Sequence, residues 1–263
     1  MSFVDGVRRI DARVWFANGV ESEPGVCASF AAGLVHCDGR ATVGAIEVGR
    51  GLFAKLPAEP IETSAGTYAL HPVASQQFEA LSLEVQRQMG RLEEQVARAA
   101  SGADLLVLDG PLSGRASIPQ AIGYIKSHRQ NYLPDSCRQV VASLEPGQRT
   151  PLFLVHKAWS LYSWYLRLPG GQGHAWAGVA RCEVAATYSP GEARAIADRT
   201  AATLPAFASR EHRDTRAPQN LYPIGGLEEQ LRRRLGDRDL VLRALRKASA
   251  QPASGNEAAN ASL

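Results

Sequence analysis

Hydrophobic and polar positions change period along the chain, and the changes divide it into elements. From residue 1 to about 56 the pattern is strand-like. Segments 12–16, 25–35 and 42–48 are rich in β-branched, aromatic and small residues, which suit a pleated, half-buried surface. Asn18-Gly19 and Asp38-Gly39 separate them, and both pairs favour tight hairpin turns. Three antiparallel strands in a meander are predicted. Residues 57–73 read as a connection. Ser75 is then placed to cap a helix running to about Ala100. Its apolar stripe is Phe78, Leu81, Val85, Met89, Leu92, Val96 and Ala99 or Ala100, spaced by three and four as a packed helix face requires.

Ser101-Gly102 ends that helix. Leu105 to Leu108 is an unbroken apolar run, the mark of a strand covered on both faces. A helix is predicted over residues 120–129, carrying Lys126, His128 and Arg129. Residues 152–155 read as another buried strand. Segments 163–168 and 176–184 read as a strand pair around Pro169-Gly170-Gly171. Ser189-Pro190 is a cap and first-turn proline for a helix to about Leu204. Residues 209–221 are polar and irregular. Gly226 leads into a last, basic helix from Leu227 to about Lys247. The tail from Gln251 is rich in Ala, Ser and Asn and is expected to be disordered. The domain organisation read from this pattern is one domain over residues 1–250 and a tail over 251–263.

Candidate chemistry sits on a repeated design. Phe3-Val4 runs into Asp5-Gly6, and Leu105 to Leu108 runs into Asp109-Gly110. An apolar strand that ends in a carboxylate and a glycine aims an acid into a cleft. Two such strands side by side bring two carboxylates within reach of one metal ion. Each Asp-Gly pair equally fits a hairpin turn, although the non-alternating run before Asp109 places that residue at the end of a central strand, where open sheets carry their sites. On the helix, Glu93 falls between Met89, Val96 and Ala100 at about 100° per residue, whereas Glu84 and Glu94 project away. A carboxylate on a packed stripe is costly unless it is paired or bound to a metal. Pairing with an arginine such as Arg13 is the other reading. Asp11 is expected at the surface beside an arginine, and Glu183 is the weakest acidic candidate. Trp159, Trp164 and Trp176 read as core or dimer contacts.

Composition narrows the classes. No stretch of about 18 apolar residues occurs, which argues against a membrane-spanning helix, and no signal peptide is apparent at the N-terminus, so a cytoplasmic protein is expected. Cys27, Cys37, Cys137 and Cys182 form no CxxC pair, against a zinc ribbon, and are expected as free thiols. The net charge of +3 does not itself argue for nucleic acid, though local basic patches suffice for binding it. The arginine-rich last helix fits a DNA or acidic-partner contact and a solvated face alike.

A three-strand meander, a helix and then a buried strand is the opening order of the ribonuclease H fold. More narrowly, the chain resembles the NurA nuclease family. The resemblance is carried by Val4-Asp5-Gly6, by Met89-Gly90-Arg91-Leu92-Glu93, and by Leu106-Val107-Leu108-Asp109-Gly110-Pro111-Leu112. Gly123-Tyr124-Ile125-Lys126-Ser127 and Asn220-Leu221-Tyr222-Pro223 add to it. It implies an α/β fold in which a ribonuclease H-like mixed sheet, the meander plus parallel strands, is flanked by helices, with a helical C-terminal part. It implies a metal-dependent DNA nuclease for end processing or repair, with Asp5, Glu93 and Asp109 on Mn²⁺ or Mg²⁺. Lys126 and Tyr222 would be further catalytic residues. It also implies DNA, a HerA-type hexameric ATPase translocase and a second copy of the chain as partners. Two departures stand out. Relatives usually carry more chain before the first aspartate. They often carry a histidine after the late tyrosine; none follows Tyr222 here, and His212 precedes it. A non-catalytic DNA-binding or assembly subunit on the same fold, and a different phosphohydrolase, are the alternatives.

Overall fold

A computed structural model describes residues 1–18, 21–55, 58–100, 102–112, 114–128, 130, 132–156, 160–171, 173–250 and 261–262. Gly19 of the first expected turn, Arg129, Trp159 and most of the tail therefore lie outside the described residues. The chain is mixed α/β and divides into two compact units. One comprises Met1–Asp5, Leu34–Gly44 and Ala97–Leu227; the other comprises Gly6–Gly33, Ala45–Val96 and Glu228–Leu263. Three long strands, β1 (Ser2–Asn18), β2 (Glu21–Asp38) and β3 (Arg40–Ala54), contribute residues to both.

In the first unit β6 (Leu106–Asp109) lies between β1 and β7 (Ala121–Ile125) and is parallel to both. The order continues through β10 (Val179–Ala185), β9 (Ser160–Arg167) and β8 (Phe153–His156), all antiparallel. Leu106, Val107 and Leu108 are fully buried, as the unbroken apolar run requires. Helix α3 (Pro190–Thr203) opens on a complete capping box, in which Ser189 and Glu192 satisfy each other's backbone N–H groups. A short helix, α2 (Arg138–Ala142), packs Val141 beside Tyr165 and Val179.

In the second unit the order is β4 (Ile61–Thr63), β5 (Gly66–Pro72), β3, β2, β1. Side-chain alternation divides the core between the two faces of this sheet. Val26, Ala28 and Phe30 pack with Leu81, Val85 and Met89 of helix α1 (Phe78–Ala99). Val14, Phe16 and Cys27 pack with Val241 and Leu245 of a C-terminal helix, α5 (Arg238–Ser249). Ala261–Ser262 makes a two-residue bridge to β1.

Several expectations need correction. Residues 121–125 form strand β7, not a helix. All five side chains are buried, and a Cβ at Gly123 would lie 2.9 Å from both Leu112 N and Glu183 Cγ. So short an apolar run is covered on both faces only as a strand. Lys126 follows β7 directly. The last helix is two: α4 (Tyr222–Arg234) starts ahead of Gly226, and the chain breaks before α5. Gly236 takes φ +83°, a helix-ending conformation, and Asp237 caps α5 through Asp239 N and Leu240 N. β8 is an edge strand with Leu154 exposed, not a buried one. The connection over 57–73 contains β4 and β5. Asp5 stands four residues into a continuous strand rather than at its end. The Asp38-Gly39 turn forms, with Gly39 at φ +68°.

Asp11 is buried rather than at the surface. It accepts hydrogen bonds from Arg9 Nε at 2.7 Å, Tyr68 OH at 2.9 Å and Ser29 Oγ. Arg9 and Arg50 also donate to the carbonyls of Leu235 and Gly236. This network ties the break before α5 to strands β1 and β3.

Candidate functional site

The parallel register of β1 and β6 carries the first unit's acidic pair. Phe3 lies opposite Val107 and Val4 opposite Leu108, so Asp5 and Asp109 are the next residues along two neighbouring strands. Such strands lie about 4.8 Å apart, with in-register side chains on one face. Asp5 is buried and Asp109 half-buried. After Asp109 the chain turns through Gly110 at φ +94°, whose N–H donates to Tyr124 O at 2.8 Å.

Lys126 reaches back from the end of β7. Its Nζ donates to Asp109 Oδ2 at 2.6 Å and to Asn220 Oδ1 at 3.0 Å. Asn220 is fully buried and passes its amide to Asp214 Oδ2 at 2.5 Å. Burial alone would raise the Asp214 carboxyl; the bonds from Asn220 and Arg216, and the Arg216 charge, hold it below the ordinary carboxylate range. Tyr124 OH donates to Gln219 O at 2.7 Å, which pins the same irregular segment to β7. Burial drives the Tyr124 hydroxyl well above its ordinary pKa, so it remains a donor.

Glu183, the weakest acidic candidate in the sequence, is a structural partner of this region. It is buried on β10, where Oε1 accepts from Leu112 N at 2.7 Å and Oε2 from Arg181 Nη1 at 2.6 Å. It thereby fixes the loop that follows Asp109. An acid and an arginine two apart on an otherwise apolar strand were the available signal. For Asn220 the signal was its place in the Asn220-Leu221-Tyr222-Pro223 segment of the resemblance; the amide itself, in a polar stretch, looks like any loop residue.

The remaining candidates sit as follows. Tyr222 opens α4, is 37% exposed, and lines a cavity with Arg210 and His212. Glu93, in the second unit, is buried on α1. It lies against Gly6, where a Cβ would come 2.5 Å from Glu93 Oε1 and 3.0 Å from Met89 Cγ. Gly6 is thus a close-approach glycine, not a turn. Trp164 is buried; Trp176 packs beside His128 and Tyr165. The four cysteines are free thiols.

Among the described residues no group of three His, Cys, Asp or Glu side chains is gathered as a cation cage. The donor set does suit a hard cation. Carboxylates on neighbouring strands supply oxygen ligands only, which fits Mg²⁺ or Mn²⁺ better than a soft metal. Lys126 engages one oxygen of Asp109 and balances part of its charge.

A mixed α/β protein with an aspartate following the paired residues of each of two adjacent parallel strands, and a lysine bonded to one of them, is the class that fold and site define. The family model described as NurA domain matches residues 2–223, and the chain belongs to that nuclease-related family. No curated protein matches the chain. No helix of the described residues is long and apolar enough to cross a membrane.

Proposed function

We propose that the chain is a divalent-metal-dependent deoxyribonuclease on a ribonuclease H-like scaffold. The observation that supports this most is the parallel register of Val4 with Leu108, after which Asp5 and Asp109 follow on neighbouring strands, together with the 2.6 Å contact from Lys126 to Asp109. Asp5 and Asp109 would hold Mn²⁺ or Mg²⁺, with Glu93 retained as a third ligand on the family resemblance. When bound, such an ion polarises the phosphodiester and lowers the pKa of water. The chain's own groups prepare the site. Lys126 orients Asp109 through Oδ2 and leaves its other oxygen for a ligand. Its ammonium also brings positive charge to where phosphate charge develops as water adds to phosphorus and one P–O ester bond breaks. Asn220 holds Lys126, and Glu183 holds the loop after Asp109. Tyr222 is kept as a further candidate on the family resemblance. The biological setting we assign is DNA end processing or repair in the cytoplasm, as a homodimer working with a HerA-type hexameric ATPase.

The test is incubation of end-labelled DNA with the protein and Mn²⁺, Mg²⁺ or EDTA. Cleavage with either ion and none in EDTA is the expected result. DNA binding without cleavage under all three conditions would assign the chain to the non-catalytic subunit class instead. Cleavage of free nucleotides in place of DNA would assign it to another phosphohydrolase class.

A further inference from the structure

Two adjoining cavities of about 610 and 310 Å³ lie in the first unit and share Arg210, His212 and Tyr222 in their linings. Among the described residues the smaller is lined by Arg210, His212, Arg213 and Tyr222, with no carboxylate. Several arginines elsewhere in the chain are paired with acids, such as Arg149 with Asp198, Arg181 with Glu183 and Arg232 with Glu228. The guanidinium groups of Arg210 and Arg213 have no acidic partner among the described residues. Arg213 instead sits 6.0 Å from the centroid of the Tyr222 ring. Tyr222 is also the first residue of α4, a 13-residue helix whose N-terminal end favours anions. The larger cavity adds Ser209, whose buried hydroxyl has no hydrogen-bond partner. Glu211 is the one carboxylate in that wider lining.

Two forked cations, an imidazole and an exposed ring make a combination that suits a phosphate carrying a planar base. Arginine binds phosphate oxygens in pairs, and a base stacks on a tyrosine face. The site lies two residues along the chain from Asn220, the acceptor for Lys126. We infer that this cavity is a subsite for a phosphorylated nucleotide at the end of a DNA strand. The identification of the strand as DNA rests on the nuclease reading above. The terminal phosphate binds Arg210, Arg213 and His212, and the terminal base packs on Tyr222.

The experiment is binding of short single-stranded oligodeoxynucleotides in EDTA, followed by fluorescence anisotropy with the dye on the opposite end. Three forms are compared: 5′-phosphorylated, 3′-phosphorylated and unphosphorylated. One phosphorylated form should bind roughly tenfold more tightly than the unphosphorylated strand, the worth of charge-assisted hydrogen bonds. Arg210→Ala/Arg213→Ala should bring the forms to within about twofold of each other. Both side chains are exposed, so their loss leaves the fold intact, and unchanged thermal melting verifies this. Free deoxynucleoside monophosphate that competes as well as the phosphorylated strand would place the specificity in the nucleotide alone and overturn the strand-end assignment. Equal binding of all three strands by the wild type, or an undiminished preference in the double variant, would overturn the inference. Because metal is absent, failure of cleavage leaves this measurement standing, and loss of the preference leaves the nuclease reading standing.

Discussion

Lys126 Nζ lies 2.6 Å from Asp109 Oδ2 across the ends of two parallel strands. The contact joins the acid that ends β6 to a buried amide, Asn220, on a segment far along the chain. The ammonium offsets part of the negative charge of this half-buried carboxylate.

Asn220→Ala should separate positioning from binding. It removes the second acceptor of Lys126 and leaves Asp214 without its amide donor. A stability loss of roughly 1–3 kcal/mol is expected for the unsatisfied groups. Cleavage should fall in kcat by about tenfold with KM for DNA little changed, the pattern of an interaction made mainly in the transition state. A variant whose kcat and KM both match the wild type would remove Asn220 from the account.

Glu183→Ala should be among the most damaging single substitutions in the first unit. It strands Arg181 in the interior without its carboxylate and frees Leu112 N. Breaking such a buried pair costs about 3–5 kcal/mol. Denaturant melting reads this directly; a change below about 1 kcal/mol would contradict the role assigned to Glu183.

Gly6→Ala tests close approach rather than flexibility. The added methyl meets Glu93 Oε1 and Met89 Cγ inside ordinary contact distance, so Glu93 or helix α1 must shift. Overpacking of this kind costs roughly 1–3 kcal/mol. If instead Gly6 served a turn, the substitution would leave the packing of α1 unchanged. Near-ultraviolet circular dichroism and melting distinguish the two.

Stability should fall as pH is lowered below about 6.5, the ordinary histidine value. His128 is depressed mainly by burial, with the Arg181 charge adding to it and the Val179 carbonyl opposing. His71 is depressed by burial too, with Arg91 adding and Glu84 opposing. Below the ordinary value the unfolded chain takes up protons that the folded rings resist, so stability is intact above that value and is lost on acidification. His128→Phe should flatten part of this slope in urea melts taken across pH. An identical slope in wild type and variant would contradict the assignment.

How much of this was legible in the residues can be judged position by position. The run before Asp109 marked a doubly covered strand, and the stripe on α1 marked its packed face. Both are local patterns with an unambiguous period, and so is the Ser189 cap. Residues 121–125 resist reading from sequence because four apolar residues around a glycine fit either period, and only neighbours on both faces make them a strand. The break at Gly236 is hidden because Leu231, Leu235, Leu242 and Leu245 continue a helical spacing across it, although Gly236-Asp237 is a helix stop followed by a cap. Asn220 and Glu183 depend on partners roughly 70 to 95 residues away. No window of sequence contains such a relation. The family match covers residues 2–223 and does not itself assign side-chain roles.

The most direct test of the central claim is Mn²⁺ binding by electron paramagnetic resonance, run on the folded wild type and on Asp5→Asn and Asp109→Asn, with cleavage of labelled DNA measured on the same samples. Mn²⁺ should bind the wild type and each variant at least tenfold more weakly, and cleavage should vanish in both. Undiminished Mn²⁺ binding or full cleavage in a folded Asp109→Asn protein would contradict it.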